Sequence, residues 1–289
     1  MSSSDHPQIY RLYLLAGQSN MEGRGINSEL PESLKKIQKE VPIYHPNRRE
    51  DGEPLENTGF WSPLKSGHGK GYRYEKSPNQ WNEVHSKEFG PELSFSSRLR
   101  ELRPHEHIAL FKYAKGGSSI HPDTPDDWGT WHPDAEGINQ WTHFKHHYLR
   151  AVGLDDINHD GKKEILKPTG IIWMQGESDA AYSREIAQVY HENLERLVTK
   201  MRELVGDLHL PVVVGQISDT GMEGDTPALP FAEIVQQAQK QFTDHDDHAV
   251  LVRPPAGHGW LDAWHYDSKT YLELGRRFAE AMHALLRRE

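Results

Sequence analysis

The chain has 289 residues, 35% of them hydrophobic, with eight Trp, eleven Tyr and no cysteine. It is long enough to bury a substantial core, and the missing thiols exclude disulfides, thiol catalysis and cysteine–zinc sites. A formal net charge of −10 argues against nucleic acid or an anionic membrane surface as partner.

No apolar run approaches the roughly 20 residues that a membrane helix needs. Residues 1–7 are short and polar, with no apolar signal core, so the chain reads as cytoplasmic, or as secreted or periplasmic with its export signal removed. Residues 9–21, I-Y-R-L-Y-L-L-A-G-Q-S-N-M, then begin as a buried strand that stops at Gly17. Ser19 follows on a glycine-flanked turn, the place where an α/β hydrolase presents a nucleophile. The G-x-S-x-G elbow is not matched, because Met21 stands at its second glycine, and an ordinary turn serine is the plainer alternative.

Residues 29–40 read as one short helix. Residues 41–87 are rich in Gly, Pro, His, Asn and aromatics without a sustained period, as a lid or binding rim would be. A helix is expected over 91–102, with Pro91 in its first turn and Leu93, Phe95, Leu99 and Leu102 on one side. A second strand, 108–114, ends at Lys115-Gly116-Gly117-Ser118-Ser119. After an irregular stretch at 121–137 carrying Trp128 and Trp131, residues 138–152 look helical. A third strand, 169–174, runs into Gln175-Gly176-Glu177-Ser178-Asp179, and Ser183 caps a long helix. Strands at 212–217 and 249–252 flank a helix at 230–242; Asp262-Ala-Trp-His265 follows, and Ser268 begins the last helix.

Strand and helix alternate throughout, without a repeat or an interior linker. The chain is therefore expected to fold as one α/β domain over 1–289, with insertions at about 41–88 and 121–137 and helices on both faces of a parallel sheet. Ligands bind such sheets beyond the carboxyl ends of the strands. Polar or glycine-rich clusters follow strands one, two, three and five, so all four gather at one edge. Acyl transfer needs a nucleophile, a base, a group that orients the base, and donors for the oxyanion. Ser19 supplies the hydroxyl, His265 can take its proton, and Asp262 lies close enough to hold the other ring nitrogen. The amides of Ser19 and Gly116 are candidate oxyanion donors, with the Gln175 side chain as a third. Each has a plain rival: Gly116-Gly117 as a tight turn, Glu177 and Asp179 as a solvated helix start, His258 as another base. Asp156 and His159 repeat the Asp-x-x-His spacing, but after no strand end.

Together these clusters resemble the SGNH hydrolases, and more closely their sialate O-acetylesterase and acetylxylan esterase branch. The matching text is G-Q-S-N-M at 17–21, F-G-P-E-L at 89–93, K-Y-A-K-G-G-S-S at 112–119, W-M-Q-G-E-S-D-A at 173–180 and Asp262-x-x-His265. The resemblance implies a flavodoxin-like three-layer α/β/α sandwich with a five-stranded parallel sheet. It also implies Ser19 as nucleophile, His265 as base, Asp262 as its orienting acid and Gly116 as second oxyanion donor. Gln175 substitutes for the superfamily's asparagine donor. Gln18, Asn20, Gly117 and Glu177 support these groups from behind, Glu177 by bonding the serine turn. The implied reaction removes an acetyl group from an acetylated carbohydrate through an acetyl-serine, with no cofactor required.

Three features stand apart. Asp156, Asn158 and Asp160 before Gly161 begin like a calcium loop, but Lys167 occupies the twelfth position; Glu164 is a substitute ligand, and a plain Asx-rich turn is the alternative. His143, His146 and His147 carry a zinc-like i, i+4 pair without a third ligand and read better as a surface cluster. Trp128 and Trp131 are candidates for sugar-stacking walls, core packing being the alternative. A non-catalytic carbohydrate-binding protein on the same fold and a metal-dependent hydrolase remain open, and neither the particular sugar nor the oligomeric state can be read.

Overall fold

Strand β1 (Ile9–Gly17) lies in the middle of the sheet, and its side chains alternate between two cores. Tyr10, Leu12, Leu14 and Ala16 enter one core, Tyr13 and Leu15 the other, as period-two geometry requires. Both faces are buried, so the strand reads as a nearly continuous apolar run. The computed structural model describes residues 6–123, 128–218, 222–223 and 226–288.

The remaining sheet strands are β2 (Gln38–Tyr44), β3 (Trp61–Leu64), β4 (His107–Ala114), β5 (Ile165–Met174), β6 (Val212–Gly215) and β7 (Ala249–Val252), in the order β7-β6-β5-β1-β4-β2-β3. All neighbours pair parallel except the antiparallel β2/β3 edge. The helices used below are α1 (Ser19–Glu22), α2 (Glu92–Leu102), α3 (Gln140–Val152), α4 (Glu177–Tyr182), α5 (Tyr190–Val205), α6 (Ala232–His245) and α7 (Ser268–Leu285). Leu93, Phe95 and Leu99 of α2 and Tyr271, Leu274, Phe278 and Met282 of α7 cover one face. Helices α3, α5 and α6 cover the other through Phe144, Leu194, Leu197, Met201, Val235 and Phe242. The fold is the α/β/α sandwich expected. The five expected strands have the flavodoxin order, in which the second pairs outside the first and the third to fifth continue on its other side.

Among the described residues the central sheet has seven strands, not five. The stretch 41–87 is not one irregular insertion: β2 begins before it, and β3 follows as the outermost strand. Pro42 and Pro63 hide the period, and Pro63 is tolerated because an edge strand has no partner beyond it. A small antiparallel hairpin, Arg73–Lys76 with Trp81–Val84, completes the insertion. The helix expected over 29–40 is only a turn, Glu32–Lys35. The long helix expected after Ser183 is divided at Val189: Ser183 accepts from the Ile186 amide and caps a short helix before α5 begins.

The shared register matters most for the site. Gly17 is paired with Ala114 on one side and Met174 on the other, so the carboxyl ends of β1, β4 and β5 lie level. The segments that follow them must emerge side by side.

Candidate active site

Gly17 makes the serine turn possible. Its φ is +145°, and a Cβ there would stand 1.9 Å from the Met174 carbonyl oxygen, so no other residue fits. Gln18 N donates to Met174 O at 3.0 Å and Lys115 N to Gly17 O at 3.0 Å, which binds the first, second and third clusters together. Ser19 opens α1 and is 6% exposed. Beneath the turn, the fully buried Lys112 ammonium donates to Glu92 Oε2 (2.7 Å), the Glu22 carbonyl (2.9 Å) and the His68 carbonyl (2.8 Å). That explains why F-G-P-E-L and K-Y-A-K occur together: they carry the two halves of a buried ion pair that holds the serine turn from below.

The Asp262–His265 loop reaches this turn from the other end of the chain. His265 Nδ1 lies 2.9 and 2.8 Å from the two Asp262 carboxylate oxygens. Asp262 Oδ1 also accepts from the Trp264 and His265 amides, each at 2.8 Å, which fixes the carboxylate before it meets the ring. Burial raises the Asp262 pKa, but the His265 contact and the two amides outweigh it and hold the carboxyl below its ordinary range. Burial lowers the His265 pKa; Asp262 opposes this, and the charges of Arg24 and Lys70 add to the lowering, so the imidazole stays below its ordinary value. Asn20, next to Ser19, donates to the carbonyl of Trp264, next to His265, at 3.1 Å and accepts from Tyr271 OH at 2.7 Å. The two halves of the site are thus clamped through their neighbours, and Ser19 and His265 line one cavity of about 520 Å³.

The third cluster supports the site without supplying the oxyanion donor expected of it. Gln175 is fully buried, and its amide nitrogen donates to Gln18 Oε1, Ser118 O and Asp179 Oδ2. With two hydrogens already shared among three acceptors it has none for a ligand, and it does not line the cavity. Its role is to join the second and third clusters, with Asp179 accepting from Ser119 Oγ and the Ile120 amide. Gln18 Oε1 also accepts from the Gly176 and Ser178 amides. Glu177 accepts from Asn20 Nδ2 at 2.6 Å, the contact with the serine turn that the resemblance implies, and burial raises its pKa.

Gly116 lies where it was expected, but its amide is engaged. A Cβ there would be 3.3 Å from Ser19 Cβ and from Glu22 Oε2; the amide itself donates to Glu22 Oε1 at 2.8 Å. The Ser19 amide has no acceptor among the described residues. Gly117, with φ of +78°, leaves room for Trp128, whose ring is half exposed at the cavity. Trp131 is not a cavity wall: it is fully buried, with Nε1 donating to Ser118 Oγ.

Sequence reasoning missed the charged wall. Arg24, Arg48, Lys70 and Lys115 line the cavity with Glu22 and Glu177. Arg48 pairs with Glu22 and Lys115 with Glu50; among the described residues Arg24 and Lys70 form no ion pair within 4.0 Å, and both charges act on the Glu88 carboxyl. Lys115 lies within the K-Y-A-K-G-G-S-S text, and Glu22 and Arg24 follow G-Q-S-N-M closely, so these were findable by position; Arg48 and Lys70 come from the aperiodic insertion and had no signal.

The other candidates fall elsewhere. His258 bonds Ser218 Oγ (2.8 Å) and the Pro255 carbonyl (3.1 Å) and does not line this cavity. His159 bonds the Trp61 carbonyl. His143 and His147 are buried, not a surface cluster: His143 bonds the Glu50 carbonyl, and His147 stacks on Tyr113. The Asp156, Asp160 and Glu164 carboxylates approach within 4.8 Å, yet Asp156 accepts from the Asp160 and Gly161 amides, Asn158 from the Asp160 amide and Glu164 from the Ile157 amide. An Asx-rich turn accounts for these contacts. Residues 124–127 of the second irregular stretch lie outside the described residues, and no described helix is long and apolar enough to cross a membrane.

The fold is shared with solved structures. A protein from Arabidopsis thaliana superimposes with a TM-score of 0.62 at 17% identity, over 96% of this chain and 99% of its own. A carbohydrate acetylesterase from Xanthomonas citri gives 0.65 at 17% identity, over 96% of this chain but 57% of the larger protein. NanS gives 0.61 at 16% identity, over 98% and 99% of the two chains. No curated protein matches the chain by sequence. The family model described as "SASA: Carbohydrate esterase, sialic acid-specific acetylesterase" matches residues 9–284. The chain belongs to this family, and so to the carboxylic ester hydrolases.

Proposed function

We propose that the protein is a serine esterase that removes O-acetyl groups from carbohydrate, with Ser19 as nucleophile, His265 as general base and Asp262 as the group that orients it. The observation that carries this reading is the Asp262–His265 contact at 2.8–2.9 Å, with His265 on the wall of the cavity that Ser19 also lines. Asp262 holds the proton on Nδ1, which leaves Nε2 with a lone pair to accept the Ser19 hydroxyl proton. Ser19 Oγ attacks the acetyl carbonyl, and the oxyanion takes the free Ser19 amide. The Gly116 amide joins when the substrate oxygen displaces Glu22 Oε1. Collapse expels the sugar oxygen, which takes the proton from His265 and leaves acetyl-Ser19. Water, deprotonated by the same imidazole, then releases acetate and regenerates the hydroxyl.

Arg24 and Lys70 suit an acetylated sugar that itself bears a carboxylate, the chemistry named in the family's description, and Trp128 offers a ring face for the sugar. The test is acetate release from O-acetylated sialosides and acetylated xylan by the wild type and Ser19→Ala. Ser19→Ala is expected to lose several orders of magnitude in turnover (~10⁶ in one protease). Retained turnover in Ser19→Ala would refute the nucleophile. A wild type that binds acetylated sugars but hydrolyses none, p-nitrophenyl acetate included, would instead favour a binding protein on this fold.

A further inference from the structure

The insertion between β1 and α2 holds a second constellation, none of whose three residues lines the cavity. Imidazole nitrogens of His68 and His85 and a carboxylate oxygen of Glu83 lie within 4.8 Å of one another. Nε2 of His68 and Nε2 of His85 are both buried and have no hydrogen-bond partner, and His68 is fully buried. Buried polar atoms are rarely left so. The groups around them are already placed: Glu83 Oε1 accepts from Ser62 Oγ and Tyr72 OH, each at 2.8 Å, and lies 3.8 Å from His85 Nε2.

The tautomer of His68 follows from its neighbour. His68 Nδ1 and His45 Nδ1 are 3.2 Å apart, so one carries the hydrogen and the other accepts it. If His45 donates, His68 must bury an Nε2–H with no acceptor, at a cost of about 1–3 kcal/mol. If His68 donates, its buried Nε2 keeps an unclaimed lone pair on a ring grouped with His85 and Glu83. A histidine that gives its second N–H to a neighbour while its other nitrogen is unclaimed has the arrangement of a metal ligand. Lys112, whose ammonium donates to the His68 carbonyl, is neutralised by Glu92.

From these contacts we infer that His68, Glu83 and His85 form a binding site for a divalent transition metal, zinc by its two-imidazole, one-carboxylate donor set. The site is structural. The His68 carbonyl accepts from Lys112, the Lys70 amide donates to the Gly23 carbonyl, and Arg48 donates to the Tyr72 carbonyl. Tyr72 in turn stacks on His45 with centroids 4.3 Å apart. A metal here would therefore pin the segment that places Arg48 and Lys70 in the cavity wall.

The test is metal binding by the untagged full chain, stripped with chelator and titrated with Zn²⁺, and with Co²⁺ as a spectroscopic substitute. One zinc per chain is expected, with a water as fourth ligand, and cobalt should show the visible d–d absorption of a four-coordinate ion. His85→Ala and Glu83→Gln should each weaken binding by at least about tenfold, whereas His146→Ala should not. Thermal unfolding establishes that each variant is folded; Glu83→Gln retains an acceptor for Ser62 and Tyr72 should His85→Ala fail to fold. Equal zinc uptake by wild type, His85→Ala and Glu83→Gln would overturn the proposal, as would a wild type that gives no four-coordinate cobalt spectrum.

Discussion

Replacing Asp262 with asparagine tests the proposed chemistry with little change in shape. Asp262 Oδ1 accepts from two backbone amides and its carboxylate meets His265 Nδ1. In Asp262→Asn the amide oxygen can keep the backbone contacts, which turns the NH₂ group toward Nδ1. Two donors cannot face each other, so the imidazole must move its proton to Nε2, the atom that has to accept from Ser19. The base is then present in the wrong tautomer. The same swap in a protease triad costs about 10⁴ in turnover, equivalent to roughly 5.5 kcal/mol of transition-state stabilisation. The Asp262 side chain is 48% exposed, so water can compensate in part, and a loss of about 10³–10⁴ in kcat/KM is expected. Initial rates on p-nitrophenyl acetate, with circular dichroism as a check on folding, measure it. A folded variant within about threefold of wild type would remove Asp262, and with it the tautomer argument, from the reaction.

The pH profile provides a second test. His265 must be neutral to accept a proton and its pKa is lowered from 6.5, so kcat/KM should fall only below that pH. Arg24→Gln removes one of the charges that lowers it and should move the acid limb upward; movement downward would contradict the assignment. Stability tests the support beneath the serine. Lys112→Met leaves the buried Glu92 carboxylate without its partner and should cost about 3–5 kcal/mol, read as the shift in a denaturant midpoint. Lys112→Met with Glu92→Leu should recover much of that loss, and a single variant as stable as wild type would show that the pair does not carry the turn.

Much of this architecture was legible in the sequence because its signals are local. Alternating strands and helices, the stop at Gly17, the capping serine and the polar text after each strand all act over a few residues, and the parallel sheet follows from their order. The same text brought Ser19, Gly116, Asp262 and His265 to one edge. The sequence did not show that β2 and β3 extend the sheet, since prolines interrupt their period and pairing across a long insertion has no local mark.

Hydrogen-bond occupancy was decided only in three dimensions. Gln175 and Gly116 have the right residue types for oxyanion donors, but a donor's freedom depends on which acceptors the folded chain places beside it. Gln18, Ser118 and Asp179 claim the first, and Glu22 claims the second. Trp131 likewise looked like a sugar platform until packing against Trp173 and Phe144 placed it in the core. The cationic wall is the clearest case: Arg24, Arg48, Lys70 and Lys115 are scattered over 92 positions of the chain and meet only because the insertion folds back against the serine turn. Residue order sets which groups can be offered at the sheet edge; long-range packing sets which of them are buried, paired or left open to a substrate.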